Sequence, residues 1–245
     1  MPRWPRAVLF DFDGVIVNSE PLHFFAFQEV LKEEKIGLTE QEYYQELIGF
    51  DDKGAFKHVF QLNGRELDPK TFLRVMTRKS EVMMDLIRSR KFEALPGAEE
   101  FVRSLWRHCP LGIVSGALRE EIEVMLEGVS LRDCFSVIVA AEDVTAGKPD
   151  PSGYLLTVRL LNEKMRASVA AGNNSRPLAP ADCLVVEDAP KVIQSTKAVG
   201  FRTLAVATSY PMVKLADADW AVKSLDPAEV DREMPELRLL AEEPV

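Results

Sequence analysis

Val8-Leu9-Phe10-Asp11-Phe12-Asp13-Gly14-Val15 decides the reading of this chain. Val, Leu and Phe form an apolar run that ends at acids and a glycine, the pattern of a buried strand running out into a turn. Side chains alternate across a strand, so Asp11 and Asp13 enter one cleft beyond its carboxyl end, where open α/β sheets bind ligands. Two carboxylates so close cannot both ionise cheaply. They need a cation, or one of them holds a proton, and either arrangement suggests chemistry more than packing. In isolation, Asp-x-Asp-Gly also fits an ordinary turn or one arm of a calcium loop.

Further polar groups follow apolar runs or turns along the chain. Leu111-Gly112-Ile113-Val114 ends in Ser115. Phe135 to Ala140 reads as another strand, followed by the turn Gly147-Lys148-Pro149-Asp150-Pro151, which presents one lysine. Cys183-Leu184-Val185-Val186 ends in Glu187-Asp188. Each has a structural explanation of its own: Ser115 as a helix cap, Lys148 as a solvated turn residue, Glu187 and Asp188 as the acidic start of a helix. Taken together, Asp-x-Asp, Ser, Lys and an acidic pair in that order on strand ends resemble the four-motif signature of the haloacid dehalogenase superfamily. The resemblance spans most of the chain.

Composition agrees with such an enzyme. With 245 residues, 47% of them hydrophobic, the chain can bury a large core as one domain with an insertion or as two domains. A formal charge of −9 argues against a nucleic-acid or anionic-membrane partner, and nothing in the sequence points to a protein partner. Cys109, Cys134 and Cys183 are scattered, lack metal-ligand spacing and read as core residues in a reducing compartment. The opening Met1-Pro2-Arg3-Trp4-Pro5-Arg6 lacks the apolar segment of a signal peptide, and no apolar run approaches spanning length. A cytoplasmic location is expected.

Helical periodicity fills the stretch from Asn18 to Phe92. Ser19-Glu20-Pro21 opens a first helix with Leu22, Phe25, Ala26 and Val30 as one stripe and Phe24, Phe27 and Leu31 as another. Thr39 with Glu42 is a capping box for a second, ending near Gly49. Asp51 and Asp52 precede a third, which ends at Asn63-Gly64. Asp68-Pro69 caps a long fourth with Phe72, Leu73, Met76, Met83, Leu86 and Ile87 inward and Arg88, Arg90 and Lys91 at its end. From Leu95-Pro96-Gly97 the chain alternates strand and helix to Trp220-Ala221-Val222, which predicts an α/β fold with a doubly wound, mostly parallel, Rossmann-like sheet. The expected organisation is a catalytic core of residues 1–17 and 93–245 and an inserted helical-bundle cap of residues 18–92. Such an insertion is placed to close as a lid through Val17-Asn18-Ser19 and Ala94-Leu95-Pro96. This resembles the superfamily branch with an all-helical cap, which includes phosphoglycolate phosphatases, sugar-phosphate phosphatases and β-phosphoglucomutase. Residues 172–181 read as a surface insertion with no assigned function.

A carboxylate attacking a phosphate dianion meets about 4 kcal/mol of repulsion per charge pair at ~4 Å and an effective dielectric near 20. Two such terms would cost about 8 kcal/mol, or roughly six decades in rate. A divalent cation and a lysine offset this. Magnesium suits a site of Asp11, the main chain of Asp13, Asp188, and Glu187 through water. These motifs hold no histidine or thiolate, which argues against zinc. Lys148 neutralises the nucleophile and a phosphate oxygen, while Ser115 and the N–H groups of Gly116 and Ala117 are expected to hold the remaining oxygens.

The resemblance implies Asp11 as the nucleophile of an aspartyl-phosphate intermediate and Asp13 as general acid and then general base. It argues against dehalogenation, since enzymes of that type typically lack the second acid. His23 matches a histidine near the hinge of β-phosphoglucomutase-like caps, and equally fits a polar residue on a helix. Where those mutases place an arginine for a second phosphate, this chain has Asp51, Asp52 and Lys53, and after Ser115 it has Leu118 and Arg119 in place of lysine and asparagine. A phosphatase of a small phosphorylated sugar or acid is therefore expected over a phosphosugar mutase. From another class, the sequence leaves a catalytically silent phosphate- or partner-binding module, against which the completeness of the four motifs argues. A receiver domain would be far shorter.

Overall fold

The computed structural model describes residues 4–47, 50–89, 92–169 and 176–237. The expected helix end near Gly49, the basic Arg90 and Lys91, and Gly172 to Ser175 of the insertion lie outside the described residues. The chain divides into two compact units, residues 1–18 with 93–245, and Ser19–Phe92.

In chain order the elements are β1 (Ala7–Phe10), α1 (Glu20–Glu33), α2 (Glu40–Glu42), α3 (Asp52–Leu62), α4 (Pro69–Arg88), α5 (Ala98–Trp106) and β2 (Leu111–Val114). There follow α6 (Arg119–Gly128), β3 (Phe135–Val139), α7 (Ser152–Val169), β4 (Cys183–Glu187), α8 (Pro190–Ala198), β5 (Arg202–Val206), β6 (Trp220–Val222) and α9 (Pro227–Glu233). The six strands form one parallel sheet in the order β3-β2-β1-β4-β5-β6, the doubly wound arrangement that the strand and helix alternation predicts. Strand order reverses between β1 and β4. In open sheets, that switch point is where ligands bind, outside the carboxyl ends of the strands.

β1 is buried along its whole length, as a strand covered on both faces must be. On one face Ala7, Leu9, Cys183 and Val185 share a core with Tyr154, Val158 and Leu161 of α7. A Cβ on Gly112 would lie 2.6 Å from the Thr157 methyl, so glycine in β2 is what lets α7 approach this closely. Elsewhere in the core the Phe10 ring meets Phe101 of α5 and Phe135 edge-on, at centroid distances of 6.0 and 5.8 Å. The three cysteines are free and buried, and burial pushes the Cys109 thiol up to about 12.

In the helical unit, the caps read from the sequence are present. Thr39 and Glu42 form the capping box, Asp51 accepts from the Gly54 N–H at 2.7 Å, and Asp68 accepts from the N–H groups of Lys70 and Thr71. The second helix departs from expectation: three α-helical residues pass directly into a π-helical turn, Tyr43–Leu47. Phe25, read as part of an apolar stripe of α1, is 48% exposed, and Leu73 of α4, expected inward, is 68% exposed. Met83 and Ile87 of α4 are buried as expected, with Met84 beside them; they continue a buried seam Val75, Lys79, Met83, Ile87, four residues apart, so a lysine occupies a position the apolar stripe assigns to a core residue. Among the described residues no helix is long and apolar enough to cross a membrane.

Candidate active site

Parallel pairing sets Phe10 beside Val186, so Asp11 and the acidic pair leave the sheet together. The Asp11 N–H donates to Val186 O at 2.9 Å and carries the ladder one residue past β1. Glu187 is the last residue of β4 and is fully buried. Each of its oxygens accepts twice: Oε1 from Lys148 Nζ at 2.7 Å and the Tyr154 hydroxyl at 3.0 Å, Oε2 from the N–H groups of Asp188 and Ala189, both at 2.8 Å. Lys148 also reaches Asp11 Oδ1 at 2.6 Å and lies 5.3 Å from the centroid of the Tyr154 ring. One ammonium thus spans two carboxylates.

One oxygen from each of Asp11, Glu187 and Asp188 lies within 4.8 Å of the other two, and all three residues are buried. Three acids against one lysine leave the group short of positive charge. Burial first, then Glu187, holds the Asp11 carboxyl well above its ordinary value, with Lys148 pulling the other way. Burial and Glu187 push Asp188 up to about 8. Burial opposes the charge on Lys148, but Asp11 and Glu187 outweigh it and hold the ammonium above its ordinary range. Burial, then Glu187, raises the Tyr154 phenol, so it stays a hydroxyl donor. An all-oxygen, electron-rich, buried donor set has the composition of a site for a hard cation.

Asp13 turns to a different partner. Ser115, whose N–H donates to Val139 O on β3 at 3.0 Å, gives its hydroxyl to Asp13 Oδ2 at 3.1 Å and accepts from the Ala117 N–H at 2.9 Å. Gly116 borders open space. Arg119 is held by Ile138 O at 3.0 Å and by the Asp143 carboxylate. His23 lies in the helical unit, where its Nδ1 is 2.9 Å from Lys79 Nζ. Lys79 is 1% exposed, 2.8 Å from Asp52 Oδ2 and 5.3 Å from the centroid of the Phe27 ring.

The sequence reading did not single out Tyr154, Thr208 or Ser209. The Ser209 hydroxyl donates to Asp188 Oδ2, and the Thr208 hydroxyl donates to the Gly14 carbonyl. A signal was available for the hydroxyl pair, since it follows the apolar run of β5 just as Ser115 follows β2.

The family model for haloacid dehalogenase-like hydrolases matches residues 8–206, from β1 to the end of β5. The chain belongs to that family. Among its relatives is the chloroplastic 5-amino-6-(5-phospho-D-ribitylamino)uracil phosphatase of Arabidopsis thaliana, 27% identical over 225 residues; the match covers 91% of this chain and 55% of that enzyme. The chain therefore spans about half the length of this relative. Fructose-1-phosphate phosphatase YqaB of Escherichia coli (strain K12) is 29% identical over 196 residues, covering 79% of this chain and 92% of that one. The fold of this haloacid dehalogenase-like hydrolase is similar to the crystal structure of CbbY from Rhodobacter sphaeroides in complex with phosphate, with a TM-score of 0.78, 21% identity, and 95% and 99% of the two chains covered.

Proposed function

We propose that this hydrolase is a magnesium-dependent phosphatase that cleaves a small phosphomonoester, a sugar phosphate or phosphoglycolate-like acid, through an aspartyl-phosphate at Asp11. The observation that carries the reading is Lys148, held between Asp11 and Glu187 at 2.6 and 2.7 Å beside the buried carboxylate of Asp188. The phosphatase names of relatives matched along most of the chain agree with it.

Asp11, Asp188 and the main chain of Asp13 would hold the magnesium ion, with Glu187 through water. When bound, the ion supplies the charge compensation that lets an anionic carboxylate approach an anionic phosphoryl group. Asp11 attacks phosphorus, the bond from phosphorus to the substrate oxygen breaks, and Asp13 gives that oxygen its proton. Water then attacks the aspartyl-phosphate while Asp13 takes its proton, releasing inorganic phosphate and restoring Asp11. Lys148 stabilises charge on Asp11 and on a phosphoryl oxygen, with Glu187 fixing the ammonium. Ser115, Gly116 and Ala117 bind the remaining phosphoryl oxygens; the Ala117 N–H turns from the Ser115 hydroxyl to do so. His23 is assigned to substrate binding through the helical unit.

Phosphatase is favoured over phosphosugar mutase by the acids at the start of α3. Asp51 caps that helix and Asp52 pairs with Lys79, so carboxylates stand where the grip on a second phosphate needs a cationic fork. Phosphate release from a panel of metabolite monoesters, with magnesium and with chelator, tests the proposal. Release that requires magnesium is expected; metal-independent turnover, or isomer formation without phosphate release, would overturn it.

A further inference from the structure

β5 lies beside β4 with Ala205 opposite Glu187, and the Ala207 N–H donates to Val222 O at 2.8 Å. The chain therefore leaves β5 next to the acidic cluster, and Thr208 and Ser209 follow Ala207. The Ser209 hydroxyl donates to Asp188 Oδ2, while the Thr208 hydroxyl donates to the carbonyl of Gly14. Gly14 has φ +76°, and a Cβ there would fall 2.3 Å from Asp188 Oδ2 and 2.9 Å from Ser209 Oγ. Asp188 Oδ2 is thus walled in by the Gly14 backbone and the Ser209 hydroxyl. Neither hydroxyl is used in the chemistry described above.

We propose that Thr208 and Ser209 are positioning residues of the cation site: Ser209 fixes the Asp188 carboxylate so that Oδ1 serves the ion, and Thr208 holds the turn that carries Asp13. This rests on the magnesium reading above. Hydroxyl to carboxylate hydrogen bonds are charge-assisted and directional, so one donor on Oδ2 selects a single carboxylate orientation. Partners behind a metal ligand typically change affinity by about 10–100-fold when removed. Two hydroxyls that only pack the end of β5 would affect thermal stability and leave cation affinity alone.

Calorimetric titration of magnesium into the metal-free full chain, with melting temperatures recorded alongside, separates the two roles. Ser209→Ala is expected to weaken magnesium binding by about tenfold or more, while Ser209→Thr, which keeps the donor, stays within about threefold of wild type. Thr208→Val should weaken binding by a few-fold, because Gly14 acts only through the turn. Should Ser209→Ala fail to fold, Ser209→Cys, with its weak donor, is expected to show the same loss. Unchanged affinity in the soluble Ser209 variant would overturn the proposal while leaving the phosphatase reading intact. A wild-type chain that binds no magnesium would overturn both.

Discussion

Lys148 sets what its neighbours can do, because its ammonium lies within 2.7 Å of both Asp11 and Glu187. On the proposed reaction, in which the Asp11 carboxylate meets a phosphate, removing that charge restores one uncompensated pair, about 4 kcal/mol at an effective dielectric near 20. Lys148→Met is therefore expected to lower kcat by about three decades, and a loss below about tenfold in steady-state assays would contradict the charge argument. Asp188 tests the opposite balance. Its carboxyl is raised by burial and by Glu187, so its ionised form opposes folding when no cation is present. Asp188→Asn is expected to raise the melting temperature of the metal-free chain and to weaken magnesium binding; a variant that melts lower and binds magnesium as wild type would contradict this. Asp11, Asp13, Ser115, Lys148 and the acidic pair were legible because each sits at the end of an apolar strand or in a Gly-Lys-Pro turn. Tyr154 was not, because an aromatic in the first turn of α7 looks the same in sequence whether or not its hydroxyl finds a carboxylate.

Helix phase was the least legible property of the elements. Periodicity identifies α1 and α4 as helices, but both carry apolar residues over more than half of their circumference, so the pattern alone does not say which arc is buried. Phe25 and Leu73 lie outward for that reason, and Lys79 lies inward because Asp52, His23 and the Phe27 ring satisfy its ammonium. Caps were readable because their chemistry is local. Non-local polar links were not, and Asp182 is an example: its carboxylate takes Arg176 at 2.5 Å, Arg6 at 3.4 Å and the Ala179 N–H at 2.9 Å, joining the chain before β1 to the turn before β4. The Arg176 hydrogen bond holds the Asp182 carboxyl below its ordinary value. A carboxyl depressed on folding stabilises the protein above its unfolded pKa and loses that contribution as pH falls through the folded value. Asp182→Asn should cost about 1 kcal/mol near neutral pH, kept small because Arg176 is largely solvated, and the gap to wild type should close on acidification below about 4. A gap in melting temperature that stays constant from neutral to acid pH would contradict this.

At the scale of the whole molecule, the interruption of strand and helix alternation after Gly14 was visible in the sequence, whereas the pairing of the two crossing segments was not. Val17 bridges to Ala94 in antiparallel fashion, the Asn18 N–H donates to Glu93 O at 3.1 Å, and the Leu95 N–H donates to Ile16 O at 2.9 Å. These bonds link segments far apart in the chain, which no local pattern encodes. They bring residues 16–18 and 93–95 together next to the turn that follows Asp11. Strand order around β1 and β4 then brings the acids, the lysine and the hydroxyls from separate parts of the chain to one edge of the sheet, and the functional claim rests on that convergence. Phosphate release by Asp11→Asn beside wild type, with magnesium and the best monoester of the panel, tests it most directly. Covalent catalysis at Asp11 predicts that the variant folds, binds magnesium more weakly and loses turnover by about four decades or more. Wild-type turnover by Asp11→Asn, in a preparation free of contaminating phosphatase, would contradict the account.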